Sequence, residues 1–531
     1  MTEYKWWHTG IIYQIYPRSF FDTNDDGIGD IQGIISNLNY LTSLGISAVW
    51  LSPHYPSPME DFGYDVSDYK DVHPIFGTLT DFDELVLEAH KRDIKIIIDF
   101  VPNHSSDKHE WFIESSSNRN NQKSDYYVWK EGKENRTPPN NWICVIGGSA
   151  WTWNETRKQY YLHSFHSGLP DLNWHNNHLR KTMLEVLAFW LDRGVDGFRI
   201  TMPNWIAKDK QFRNDPLNPD FNPETDLPYQ KLKHIYSLDA PEVFTYLKQI
   251  NKIIKENDKD KVSMAMVDEA WFYPSDALPD YFTTGKVLDF PTNFGLFFLS
   301  ISGWKAAMIK NYIDLYDKMQ GEHGNPNYYL GSHDHPRIAS RLDPHQARIA
   351  AMLMLTLRGI PFLYYADELG LINAKIPLSK RKDLWSDRSR DSYRTPMQWN
   401  SKENSGFSIS DPWLPVVPNY KNINIESLKL QPTSILNLYH KLLKLRKNYP
   451  ALTIGSYISE SNIQGNCFVF RRTYKEQNLL ISLNFGSDPC EIVFSNMKGR
   501  KIIISTFLDR EETIEGVTLR LRENEGCIIE L

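Results

Sequence analysis

The sequence predicts an α/β chain built on a (β/α)8 barrel, with an inserted subdomain after the third strand and a C-terminal antiparallel β domain. Three observations predict it. Eight short apolar runs recur up to about residue 366, and amphipathic helical patterns separate many of them. A long polar stretch divides the third run from the fourth. From about residue 452 the pattern changes to short strands in close succession.

The apolar runs are, in order, "GIIYQIYP", "ISAVWLS", "IKIIIDFV", "VDGFRI", "KVSMAMVD", "KVLDFP", "NYYLGS" and "IPFLYYAD". They are rich in β-branched and aromatic residues and mostly apolar throughout, as strands buried on both faces must be. Between them lie patterns such as "DFDELVLEAHKRD" and "HLRKTMLEVLAFWLDRG", with apolar residues at helical spacing. Eight strands alternating with helices predict a barrel. The rival is an open doubly wound sheet, which would carry a Gly-rich phosphate turn after its first strand. "YPRSFFDTNDDG" is not such a turn. The polar stretch "ESSSNRNNQKSDYYVWKEGKENRTPPNNW" lies where barrel enzymes gather catalytic loops. The expected domains are a barrel over 1–103 and 171–450, an inserted subdomain over 104–170 and a β domain over 451–531.

A chain of 531 residues suits one large domain with smaller ones attached. Net charge is −7, and no Lys/Arg-rich tract appears, so nucleic acid and anionic membrane are poor partners. The start "MTEYKWWHTG" lacks the pattern of a signal peptide. No uncharged apolar run reaches the ~18 residues of a spanning helix. "IAAMLMLTLRGIPFLYY" comes nearest but is interrupted by Arg358 and Gly359, and reads as a buried helix followed by a strand. The four cysteines show no CxxC spacing, which argues against zinc. Cys467, Cys490 and Cys527 lie close enough in sequence for a disulfide, but scarcity itself reads as a reduced cytoplasmic setting. Aromatics reach 13%, enough for sugar stacking as well as core.

Active groups of a barrel sit just past its strand ends. The third run ends in Asp99 and leads to His104; the fourth gives Arg199 and Thr201; the fifth gives Asp268 and Glu269; the seventh gives His333 and Asp334. Taken singly, an Asp at a strand end is ordinarily a helix cap and a His beside it a structural hydrogen-bonder. Four clusters on four strands are harder to dismiss, because caps need no accompanying Arg and His.

These segments resemble the signature regions of glycoside hydrolase family 13, the α-amylase family, and most closely its α-glucosidase and oligo-1,6-glucosidase branch. "YQIYPRSFFDTNDDGIGD", "MEDFGYDVSDY", "FVPNHSSDKHEWF", "LPDLNW", "DGFRI", "LGSHDHPR", "TLRGIPFLYYADELG" and "RDSYRTPMQW" carry the likeness in order across nearly the whole chain. It implies a retaining mechanism, in which one carboxylate attacks the anomeric carbon while an acid about 5–5.5 Å away protonates the leaving oxygen. By that resemblance Glu269 is the general acid/base, with a raised pKa. Asp334 grips the sugar hydroxyls, His104 and His333 hydrogen-bond to them, and Arg199 orients the nucleophile. Asp61, Tyr64 and Arg390 resemble the pocket around a non-reducing glucose, with Tyr64 stacked beneath it. The implied substrate is a small α-glucoside or oligosaccharide, with no organic cofactor. The implied assembly is a monomer or a homodimer.

One residue breaks the pattern. The family's nucleophile is an Asp two positions after the arginine, and here that residue is Thr201. A threonine hydroxyl is a poor nucleophile without an activating base. Asp99 is structural by motif and no substitute. Ser332, Asp268 and Leu169 depart from the family pattern nearby, and Met202 stands at a position that resembles a linkage-selectivity site of the branch. One loss alone fits an engineered trap; several together fit natural divergence. The expectation is an α-glucosidase-type enzyme with severely impaired hydrolysis. The alternative is a non-catalytic relative that binds a sugar or a protein partner. An inverting mechanism would need a second carboxylate about 6.5–9.5 Å from Glu269.

A second signal is "DTNDDGIGD", where Asp22, Asn24, Asp26 and Asp30 alternate and Gly27 allows a tight turn. Alternating oxygen ligands, with the Ile28 carbonyl, suit Ca2+. An EF-hand is excluded because the twelfth position is Gly33 rather than Glu. A solvated polar turn is the plain alternative. By resemblance to the branch's metal loop, the expectation is structural Ca2+ or Mg2+.

Overall fold

The computed structural model describes residues 4–265, 281, 287–321, 324–383, 389–460, 465–494 and 499–531. All eight apolar runs form strands: β1 (Ile12–Ile15), β2 (Ala48–Leu51), β3 (Lys95–Phe100), β4 (Gly197–Ile200), β5 (Val262–Ala265), β6 (Phe290–Pro291), β7 (Asn327–Tyr329) and β8 (Ile360–Tyr364). They form one eight-stranded sheet in the order β7-β8-β1-β2-β3-β4-β5-β6, the cyclic order of a (β/α)8 barrel. Neighbouring strands run parallel, with Ile12 opposite Phe362 and Asp99 opposite Arg199. β1, β2, β4, β7 and β8 are buried at every position, which explains their unbroken apolar runs.

The chain divides into two compact units, one of residues 1–50, 87–95 and 292–531, the other of 51–86 and 96–291. In the first, the helix Pro344–Thr356 begins with Asp343 capping the amides of His345 and Gln346. Its interior is almost wholly buried, as the apolar run predicts. The antiparallel C-terminal domain also lies here. Its main sheet joins Ser456–Ser459, Cys467–Tyr474, Gln477–Asn484, Gly526–Glu530 and Lys501–Ser505 in that spatial order. Cys490–Val493 and Thr518–Leu521 pair beside it. A disulfide joins Cys467 to Cys490, while Cys144 and Cys527 are free and buried.

Two buried arginines bind loose carbonyls in this unit. Arg446 Nη1 donates to Leu355, Leu357 and Leu452 at 2.8–2.9 Å. Arg472 donates to the carbonyls of Leu452 and Gly455 at 3.0 and 2.9 Å. Both satisfy acceptors at helix ends, where the helix dipole favours a cation.

In the second unit, Asn176 caps the helix Asn177–Asp192, whose Leu179, Met183, Val186, Leu187 and Trp190 are buried. The polar stretch folds into a three-stranded antiparallel sheet of Trp129–Lys130, Gln159–Leu162 and Trp151–Asn154. Its own small core includes Trp142, Trp151, Tyr160 and Leu162. Among the described residues, no helix is long and apolar enough to cross a membrane.

Candidate active site

In the second unit the rim beyond β3 and β4 carries an ion pair, an imidazole and a hydroxyl. Asp99 and Arg199 stand opposite each other in register and form an ion pair, with side chains 0% and 2% exposed. The Tyr64 hydroxyl accepts a hydrogen bond from Arg199 Nη1 at 3.3 Å. Tyr64 is delivered by a tight loop in which Phe62 and Gly63 have φ of +49° and +105°. Asp65 fixes this loop by accepting from Ser57 Oγ at 2.6 Å and from the Glu60 amide at 2.8 Å.

Thr201 lies two residues beyond Arg199. Its amide donates to the Phe100 carbonyl at 2.9 Å. Its hydroxyl is buried and finds no hydrogen-bond partner among the described residues. So no acid among them reaches Thr201 at bonding distance. A buried hydroxyl left without a protein partner costs free energy. Met202 follows in the left-handed region, with φ 44° and ψ 49°, a strained setting for a side chain of its size.

His104 is buried, and burial lowers its pKa to about 4, so the ring is neutral near pH 7. Nδ1 lies 3.2 Å from Asn103 Nδ2, and Nε2 has no partner among the described residues. A neutral imidazole at this position is equipped to bond a sugar hydroxyl. Behind it stands a network that the linear sequence does not announce. Lys208 Nζ meets Asn103 Oδ1 at 2.8 Å and Asp171 Oδ2 at 2.6 Å, and Asn103 Nδ2 donates to Asp171 Oδ1 at 3.1 Å. The segments holding Asn103 and Asp171 are the quoted "FVPNH" and "LPDLNW"; Lys208 carries no such signal.

In the first unit the centre is Asp334, after β7. His333 Nδ1 lies 2.6 Å from Gln14 Nε2, which must donate, so the ring proton sits on Nε2. That nitrogen is 2.9 Å from Asp334 Oδ2. Tyr16 stacks on the imidazole with an interplanar angle of 10°. Arg390 Nη1 and Arg394 Nη2 reach Asp334 Oδ1 at 3.1 and 3.0 Å. Burial acts to raise the Asp334 pKa, but His333, Arg390 and Arg394 outweigh it and hold the group well below the usual carboxylate range. Arg390 is braced in turn by Asp383, Nε to Oδ2 at 2.7 Å. Ser332, one of the departures, braces the turn after β7. Its hydroxyl bonds His335 Nδ1 at 2.7 Å and accepts from the Asp334 amide at 3.2 Å. Gln14, Asp383 and Arg394 are supporting residues that sequence reasoning missed. The quoted motifs hold Gln14 and Arg394, but nothing in a linear sequence shows that either meets the His333–Asp334 pair.

Glu269 and Asp268, the acid/base position and its neighbour, lie outside the described residues. The expected site residues that are described fall within the two units as follows: Asp61, Tyr64, His104, Arg199 and Thr201 in one, His333, Asp334 and Arg390 in the other.

The expected metal loop also belongs to the first unit. Its donors are all oxygen, the right chemistry for Ca2+. In the structure they serve the loop's own amides. Asp22 accepts from Asn24, Asp25 and Gly27; Asn24 accepts from Asp26, and Asp26 from Ile28. Asp30 accepts from the amides of Thr23 and Gly33. Among the described residues no three His, Cys, Asp or Glu side chains are grouped to hold a metal. The donor set fits the ion in chemistry, and closing around it would require these carboxylates to converge.

Comparison with known proteins agrees with this picture. The family described as "Alpha amylase, catalytic domain" matches residues 14–455. An oligo-1,6-glucosidase of Parageobacillus thermoglucosidasius is 35% identical over 100% of this chain and 99% of its own. Maltase 1 of Drosophila virilis is 36% identical over 99% of this chain and 87% of its own. The crystal structure of the alpha-glucosyl transfer enzyme XgtA superposes with a TM-score of 0.90 at 34% identity, covering 99% of this chain and 100% of that one.

Proposed function

Since the chain belongs to the alpha-amylase family of glycoside hydrolases, we propose that it is an α-glucosidase-type member, acting at the non-reducing end of short α-glucosides, whose hydrolysis is crippled at Thr201. The observation that carries the reading is the Thr201 hydroxyl: buried, unsatisfied and two residues past Arg199, where the family pattern calls for a carboxylate. Glu269 is the general acid/base. Asp334, held ionised by two arginines, binds sugar hydroxyls and favours the positively charged transition state. His104 presents a neutral ring nitrogen to a hydroxyl, His333 orients Asp334 between Gln14 and the carboxylate, and Asp61, Tyr64 and Arg390 select the terminal glucose. Arg199 is the partner a carboxylate at 201 would have, because alternate strand residues face the same side.

The test is chemical rescue of the unmodified chain. With p-nitrophenyl α-glucoside, azide forms the C1–N bond as the C1–O bond to nitrophenolate breaks, and the product is β-glucosyl azide. Azide-dependent nitrophenolate release supports the reading. Absence of rescue, with glucoside binding intact by calorimetry, counts against it.

A second reading is favoured by the same Thr201: a sugar-binding relative that does not turn over. It predicts saturable glucoside binding and no gain of activity from any repair at position 201. As to metal, Asp22, Asn24, Asp26 and Asp30 with the Ile28 carbonyl are the residues that would hold Ca2+ or Mg2+, in a stabilising rather than a chemical role.

A further inference from the structure

We propose that a hollow between the loop at 374–381 and the residues Ser389 and Ser392 binds a phosphate-bearing small molecule. The cavity measures about 460 Å3, within the size range of small-ligand sites. Lys375 and Arg381 line it together with the two serines, and Ile376 and Pro377 supply an apolar wall. This assignment goes beyond the glycosidase reading and does not depend on it.

The charge arrangement carries the argument. Three neighbouring cations are engaged: Lys380 with Asp411 at 3.6 Å, Arg390 with Asp383 and Asp334, and Arg394 with Asp334. Two neighbouring acids among the described residues are engaged too. Asp383 serves Arg390, and Asp391 accepts the Lys382 amide at 2.7 Å. Lys375 and Arg381 make no side-chain ion pair or hydrogen bond among the described residues, although the chain as a whole carries a net charge of −7. Two such cations on one concave wall of an acidic protein form a local field suited to an anion. Arg381 offers a planar fork and Lys375 a point charge, a pairing that matches the tetrahedral oxygens of a phosphate. Ser389 Oγ accepts from the Asp391 amide at 3.3 Å, which leaves its own hydrogen to donate. The Ala374 amide donates to the Ser392 carbonyl at 2.7 Å, tying the two walls together before any ligand arrives. The volume exceeds what a bare oxyanion fills, and the apolar wall suits the carbon face of an attached sugar.

Isothermal titration calorimetry of the full chain tests this, with sodium phosphate, glucose 6-phosphate and glucose as separate probes at an ionic strength held constant with sodium chloride. Saturable binding of the phosphorylated probes, and none of glucose to this wall, is expected. Lys375→Ala combined with Arg381→Ala weakens that binding by about tenfold or more, the worth of a charge-assisted contact. Lys380→Ala, a cation outside the lining, leaves it unchanged. Glucose 6-phosphate binding more tightly than phosphate assigns the site to a sugar phosphate; equal binding assigns it to free phosphate. The proposal is overturned if neither phosphorylated probe binds saturably, or if Lys380→Ala weakens binding as much as the double change. Turnover plays no part in the readout, so failure here is separate from failure of the glycosidase reading.

Discussion

Replacing Asp99 by Asn removes the negative partner of an arginine that is 2% exposed. Arg199 cannot shed its proton, so its charge stays and loses Asp99 as an ion-pair partner. The Tyr64 hydroxyl at 3.3 Å and the new amide oxygen still accept hydrogen bonds, but neither carries charge. Breaking one side of a buried pair costs about 3–5 kcal/mol, and retained neutral acceptors place this case near the lower figure. For an unfolding unit of about 150–250 residues, each kcal/mol moves the midpoint by about 2–4 °C, so a fall of roughly 6–12 °C is expected. Thermal unfolding followed by tryptophan fluorescence measures it. The same change in a Thr201→Asp background should cost at least about 1 kcal/mol less, because residues 199 and 201 face the same side of β4 and the new carboxylate takes over part of the pairing. A drop under about 2 °C in the unmodified chain would refute the claim that this pair is the buried charge balance of the site. Equal costs in both backgrounds would refute the claim that position 201 addresses Arg199.

Acid sensitivity should trace to buried histidines. His54 sits among Tyr55, Phe82 and Trp190, has neither ring nitrogen bonded among the described residues, and is pushed down to about 3 by burial. Its folded pKa lies below its unfolded one, so the unfolded state binds the proton first. Its penalty is absent above about pH 6.5, grows as pH falls and levels off near 3. His54→Phe should therefore flatten the loss of stability between about pH 6.5 and 4 in a series of melting curves; an unchanged slope would contradict this. Calcium should raise the melting temperature of chelator-treated protein, and Asp22→Asn with Asp30→Asn should remove that response; a response that survives both changes places the ion elsewhere.

The strands were legible because most barrel strands are buried on both faces and so leave continuous apolar runs. Ser456–Ser459 and Thr518–Leu521 leave a weaker signal for the converse reason: they alternate exposed with covered positions and carry polar residues. The positions of His104, Arg199 and Asp334 were legible because each ends or closely follows an apolar strand run. The site was not legible where the role depends on a pairing across distant sequence. Gln14 meets His333 319 residues away, and Lys208 meets Asn103 105 residues away. Asp99 shows both sides. Its structural role was readable, but that it neutralises Arg199 in the absence of a carboxylate at 201 emerges only from the register of β3 and β4.

The central claim is that this chain lacks one attacking carboxylate and little else. The measurement closest to it is turnover of p-nitrophenyl α-glucoside by Thr201→Asp against the unmodified chain. Restoring the carboxylate should raise kcat/KM by about 10^3-fold or more, mainly through kcat. A Thr201→Asp protein that folds, binds the glucoside and still shows the unmodified rate would contradict it.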